Sequence, residues 1–146
     1  MDSNSRKEYK MIKQKNNRDC LICCLSELLN IEYDSIPKFY ELYPDDLKEE
    51  GEDFTKAFDE WLLSKGYYRI LIDIEVVKNN DGLKIKSPYI SLDKTRVLGV
   101  LKKEYRDFSH CVVLDYYKNK VELNDPKLHS DYDLSDLIQI EILAKV

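Results

Sequence analysis

A chain of 146 residues, 43% hydrophobic and 35% charged, carries enough apolar material for one real core and too much for a disordered segment. Its net charge of −5 offers no general basic face to nucleic acid. No run approaches the roughly 18 apolar residues of a membrane span. The polar start, Met1 to Lys7, lacks the apolar segment of a signal peptide, so the expected setting is the cytoplasm, without membrane or nucleic-acid partners.

In chain order, residues 1 to 8 read as a flexible arm, with a short strand expected at Tyr9 to Ile12. Asp19 is a good N-cap for a helix from Cys20 to about Asn30, where Leu21, Leu25 and Leu28 form an apolar stripe flanked by Ile22 and Leu29. A helix apolar on most sides is a central one. Ser35 is placed to cap a second short helix, with Pro37 in its first turn and Pro44 ending it. Asp53 would cap a third, carrying Phe54, Phe58, Trp61 and Leu62 on one face, before a left-handed stop at Gly66.

Beyond Gly66 the pattern is that of strands. Tyr67 to Val77 is rich in Ile, Val and Tyr, and Asn79 to Gly82 is a turn signal. Further strands are expected at Val97–Leu101, His110–Tyr116, Lys120–Leu123 and Ile138–Val146, with a hairpin turn at Lys118-Asn119 and a turn of helix at Asp133–Leu137. Helices first and antiparallel strands second make an α+β fold, read as one domain over residues 1–146.

Of four cysteines, only Cys20 stands at a helix N-terminus, where the helix dipole favours a thiolate. Cys23 and Cys24 lie a turn deeper and Cys111 sits inside a strand; these three read as small buried hydrophobes. No disulfide framework is expected from this spacing. His110 opens an apolar strand after a polar loop, a position from which a base can face a cleft, while Cys111 points to the opposite face. His129 lies in a polar loop and reads as surface.

Asp125 ends the following strand, and Pro126 holds it extended. A 110–116/120–123 hairpin brings His110 and Asp125 to the same open end, where a carboxylate can fix the imidazole tautomer. Asn124 is the alternative orienter. Gln14, six residues before Cys20, can offer an amide N–H to an oxyanion together with the Cys20 backbone N–H. A zinc site from Cys20, Cys23, His110 and Cys111 has acceptable ligand types but lacks a second close Cys pair. No metal and no cofactor are therefore expected, and no glycine-rich phosphate loop is present.

Gln14, Asp19-Cys20, His110-Cys-Val-Val113 and Leu123-Asn-Asp125-Pro126 together resemble the papain-like cysteine peptidase fold, in particular the bacteriocin-processing peptidase domains of bacterial exporters and their stand-alone phage and bacterial relatives. The resemblance spans residues 9 to 146, and four short motifs carry it. It implies a cysteine helix packed on a small antiparallel sheet with the site between them. Those domains usually place a small residue after the nucleophile, where substrate backbone passes. Here Leu21 occupies that position, which bears on what the cleft admits.

The expected function is a small cysteine-nucleophile hydrolase with Cys20 as nucleophile, His110 as base, Asp125 as its orienter and Gln14 at the oxyanion. A peptide or isopeptide bond in a peptide or protein substrate is the expected target. Deamidation and acyl transfer to an amine use the same groups. The other reading is an inactive papain-like module that binds a protein, peptide or small molecule, such as a phage or mobile-element effector.

Overall fold

The computed structural model describes residues 11–43, 51–79, 82–86, 92–106, 108–117 and 120–146. The expected arm, the first half of the strand proposed at Tyr9 to Ile12, the stop at Pro44 and the turn residues Lys118-Asn119 lie outside them. Met11 and Ile12, which are described, are not in a strand.

Helix α1, Cys20–Leu29, buries its first seven residues, as its nearly continuous apolar sequence requires. Asn30 ends it in the left-handed conformation (φ 53°), its N–H donating to the Ser26 carbonyl. The second helix expected near Ser35 is instead a pair of 3-10 turns, Tyr33–Ser35 and Phe39–Leu42, so Ser35 ends a turn rather than capping a helix. Pro37 lies between the two turns and interrupts any longer helix. Helix α2, Glu52–Ser64, starts one residue before Asp53, with Gly51 at the cap position. Asp53 therefore lies in the first turn, where its charge still complements the dipole. Gly66, at φ 87°, supplies the expected left-handed stop.

The strands are β1 (Tyr67–Asp73), β2 (Glu75–Asn79), β3 (Gly82–Lys86), β4 (Arg96–Leu101), β5 (His110–Tyr117), β6 (Lys120–Asn124) and β7 (Leu137–Lys145). The expected single strand 67–77 divides at Ile74, whose N–H still bonds Ile138 O of β7 at 2.9 Å, the last link in line with the β1 ladder. The residues after the break pair with β3 in a separate two-stranded sheet. The main sheet has five antiparallel strands in the order β1-β7-β4-β5-β6. The fold is α+β, with the C-terminal strand inserted between β1 and β4.

Alternation along β4 and β5 divides the core between two sheet faces. Leu98 and Val113 pack with Leu21, Ile22, Leu25, Phe39, Phe58 and Leu62 on the helix side. Val97, Leu101, Val112, Leu114 and Ile140 pack with Ile74, Leu92 and Leu137 on the other. The helix side also holds an aromatic cluster in which Phe39 contacts Phe58 at 5.4 Å and Trp61 at 5.7 Å between ring centroids. This packing fixes α1 against β5, and so fixes the start of the helix beside the start of the strand.

Candidate active site

Cys20 is the first residue of α1 and His110 the first residue of β5. Because the helix lies on the sheet, the two meet at one end of the interface, where their side chains hydrogen-bond. Asp125 follows β6 directly, and the β5/β6 register pairs Val113 with Asn124, so Asp125 comes next, at the level of Val112, on the sheet face that Val112 shares with His110. His110 Nε2 lies 2.6 Å from Asp125 Oδ1. That contact leaves the ring's other nitrogen, Nδ1, for Cys20.

The charges follow from the contacts. Cys20 is held down to about 5: the Cys111 thiol donates to it, burial opposes, and the His110 imidazolium adds a further pull toward the thiolate. His110 is raised to about 9; burial works against its charge, but Asp125 and the Cys20 thiolate outweigh it. Asp125 is lowered: burial opposes, and hydrogen bonds from His110, Ser130 and the Lys127 N–H (2.8 Å) prevail. All three shifts favour the same charges near neutral pH: thiolate, imidazolium and carboxylate.

Cys23 and Cys24 behave as the sequence implied. Burial raises Cys23 to about 12 and Cys24 well above the ordinary thiol range. Cys111 does not. It faces away from His110, as expected, but that is the helix side of the sheet, which carries Cys20, and the two thiols interact there. The strand reading treated a residue facing away from His110 as inert core. At the strand's end, however, the first residue of the covering helix interacts with the first two residues of the strand, one from each face. The adjacency of Cys111 to His110 was the available signal.

Asp19 occupies the cap position but makes no capping hydrogen bond. Its fully buried carboxylate turns back, accepting from Lys15 N–H at 2.9 Å, Asn16 N–H at 3.4 Å and Tyr33 O–H at 2.6 Å. It therefore shapes the loop that delivers Cys20. Gln14 belongs to the same loop, which is tied to the Asp125 loop by Gln14 N–H to Pro126 O at 2.9 Å and Lys13 Nζ to Asp125 O at 3.0 Å. One Gln14 Nε2 proton goes to Asn16 O at 3.0 Å, leaving the second.

Asn124 is not an orienter. Its amide donates to Asp115 Oδ2 at 3.2 Å and Val113 O at 3.4 Å, because strand alternation turns it from Asp125's direction. Leu21 is 3% exposed and belongs to the helix-side core while also lining the cleft. Sequence reasoning missed Tyr132, whose ring stacks on His110 at 4.8 Å and 22°. A tyrosine in a polar loop gives no signal of that contact. His129 is exposed, as expected.

The cleft, of about 920 Å³, runs from Cys20, His110 and Cys111 along Leu98 and Val100 to Glu141. Arg69 closes that far end by bonding Glu141 at 2.9 Å and Asp59 of α2 at 2.6 Å. At the mouth, Arg18 lies over the rings of Tyr43 (5.5 Å) and Phe108 (5.7 Å). Among the described residues, no three His, Cys, Asp or Glu side chains are arranged to hold a metal ion. No described helix is long and apolar enough to cross a membrane.

Compared with known proteins, the chain matches no family model, no curated protein and no solved structure.

Proposed function

We propose that this chain is a papain-like cysteine hydrolase of the peptidase or isopeptidase type, acting in the cytoplasm on a peptide or protein substrate. The connected series Cys20–His110–Asp125, whose first two members line an open cleft, carries the reading. The Cys20 thiolate attacks a carbonyl carbon, and the new oxyanion is met by the Cys20 backbone N–H and the second Gln14 amide proton. His110 gives its proton to the departing amine as the C–N bond breaks, leaving a thioester on Cys20. Neutral His110 then takes a proton from water, whose oxygen attacks the thioester; the carboxylic acid leaves and the thiolate returns. Asp125 keeps the imidazole in one orientation and stabilises its charge throughout.

A binding module without turnover is the second reading, and Leu21 favours it, because a side chain stands where related domains leave room for substrate backbone. The two readings separate on a mixed peptide and isopeptide library incubated with wild type and Cys20→Ala. Hydrolysis products that depend on Cys20 support the hydrolase. Saturable peptide retention by both proteins, with no product from either, would sink it in favour of the binder.

A further inference from the structure

The mechanism above uses Cys20 but leaves Cys111 without a chemical task. Both thiols are free, both line the same cleft, and they hydrogen-bond to each other across the contact between α1 and β5. Of the remaining cysteines, neither Cys23 nor Cys24 lines the cleft. The arrangement therefore pairs an ionised, cleft-facing sulfur with one protonated thiol beside it, in a site open to small molecules.

We propose that Cys20 and Cys111 form a reversible oxidation site, in which a hydroperoxide oxidises Cys20 and Cys111 resolves the product as an intramolecular disulfide. The Cys20 sulfur attacks the outer peroxide oxygen; the O–O bond breaks and the departing alkoxide takes the His110 proton. Cys20 is then a sulfenic acid. The Cys111 sulfur attacks the Cys20 sulfur, the S–O bond breaks, and the hydroxide leaves as water with the Cys111 proton. Two thiols lose two electrons and two protons in all, and the peroxide becomes one alcohol (water, for hydrogen peroxide) and one water. A dithiol reductant reverses the step by exchange through a mixed disulfide.

Two geometric features favour this outcome over irreversible oxidation. Both sulfurs line one cleft, at the start of the helix and the start of the strand that pack on each other, so the resolving thiol lies in the same site as the sulfur it must attack. Each cysteine is also the first or second residue of a regular element, and a terminal position adjusts to disulfide geometry more readily than a mid-element one. The consequence is protective. A thiolate that reacts with hydroperoxides and has no resolving partner proceeds to the sulfinic acid, which a dithiol does not reverse.

The site does not require hydrolase activity, so its test uses none. Full-length protein is treated with equimolar hydrogen peroxide near neutral pH, quenched with an alkylating reagent and mapped by mass spectrometry. The expected product has lost two hydrogens and yields one Cys20–Cys111 cross-linked peptide, removed by dithiothreitol. Cys111→Ser and Cys111→Ala, checked for folding by circular dichroism, should instead give Cys20 sulfenic acid, trapped by dimedone, and then sulfinic acid. A cross-link from Cys20 to Cys23 or Cys24 would overturn the proposal. So would sulfinic acid on Cys20 of the wild type with no cross-link, or oxidation of Cys20 no faster than that of Cys23. None of these results bears on peptide hydrolysis, whose failure would be read separately from the library experiment.

Discussion

His110 Nε2 and Asp125 Oδ1 lie 2.6 Å apart, although fifteen residues and a hairpin separate them. The hairpin returns Asp125 to the sheet face and strand end that carry His110, and the same carboxylate oxygen accepts from the Lys127 N–H at 2.8 Å. The contact decides which imidazole nitrogen faces Cys20.

Replacing Asp125 by alanine frees the ring to rotate and removes the charge that stabilises imidazolium. Turnover of whatever substrate the library yields should fall on the order of 10²-fold or more. Asn124→Ala should leave turnover within about threefold, since its amide bonds Asp115 and Val113 rather than His110, a loss worth about 1 kcal/mol of stability. Steady-state kinetics of the two variants provide the comparison, and equal losses would contradict the assignment of Asp125 as orienter.

The reactive pairing of thiolate with imidazolium exists between the two titrations, at about 5 for Cys20 and about 9 for His110. Iodoacetamide labelling of Cys20 should therefore rise through pH about 5 and stay selective over Cys23 and Cys24, both raised by burial. In His110→Ala the rise should move upward toward the ordinary thiol range. Cys20 labelling no faster at pH 6 than the buried thiols would remove the basis for catalysis.

Folding stability should carry the same signature. Cys20 is depressed below the unfolded 9.0, so its contribution is absent below about 5 and grows until pH 9. His110 is raised above the unfolded 6.5, so its contribution is complete below 6.5 and is lost as pH rises through about 9. Between 6.5 and 9 the two slopes oppose each other, and wild-type stability should be nearly level. Cys20→Ser removes the rising term and weakens the falling one, leaving the part of it that Asp125 supplies. Its urea midpoint should decline from pH 6.5 to 8.5, and a parallel behaviour of both proteins would refute the coupling.

Much of this site was legible because its parts are local. The start of α1, the hairpin and the Asp-Pro turn each follow from short-range chemistry, and Cys20, His110 and Asp125 ride on those elements. Gly66 was readable for the same reason. What escaped depends on tertiary placement. Asp19 has the identity of a cap, but Tyr33, fourteen residues away, competes for its carboxylate. Alternation sets Cys111 opposite to His110, yet alternation alone does not say what covers that face. The division at Ile74 separates residues that pair with β7 from residues that pair with β3, a choice of partner no local pattern names.

Tyr132 stacks on His110 while Arg106 and Lys103 lie over its ring at 4.9 and 5.5 Å. Its electron-rich face stabilises imidazolium by about 0.5–1 kcal/mol. Tyr132→Leu should lower the alkaline limb of the activity profile by about half a pH unit and leave the acid limb in place. An unchanged alkaline limb would reduce the ring to a packing role.

The last prediction concerns how Cys20 is delivered. Asp19 is adjacent to the nucleophile, and a carboxylate aimed at the thiolate would oppose its ionisation. Its oxygens instead hold Lys15, Asn16 and Tyr33, and it is not among the groups that set Cys20. Asp19→Ala leaves the Tyr33 hydroxyl and two loop N–H groups without their acceptor, a cost of about 1–3 kcal/mol. The expected result is a clear fall in the urea midpoint with the labelling midpoint of Cys20 still near 5. Asp19→Asn, which keeps one acceptor oxygen, should fall less. A large shift of the Cys20 midpoint in either variant would mean that Asp19 acts on the thiol directly rather than through the loop.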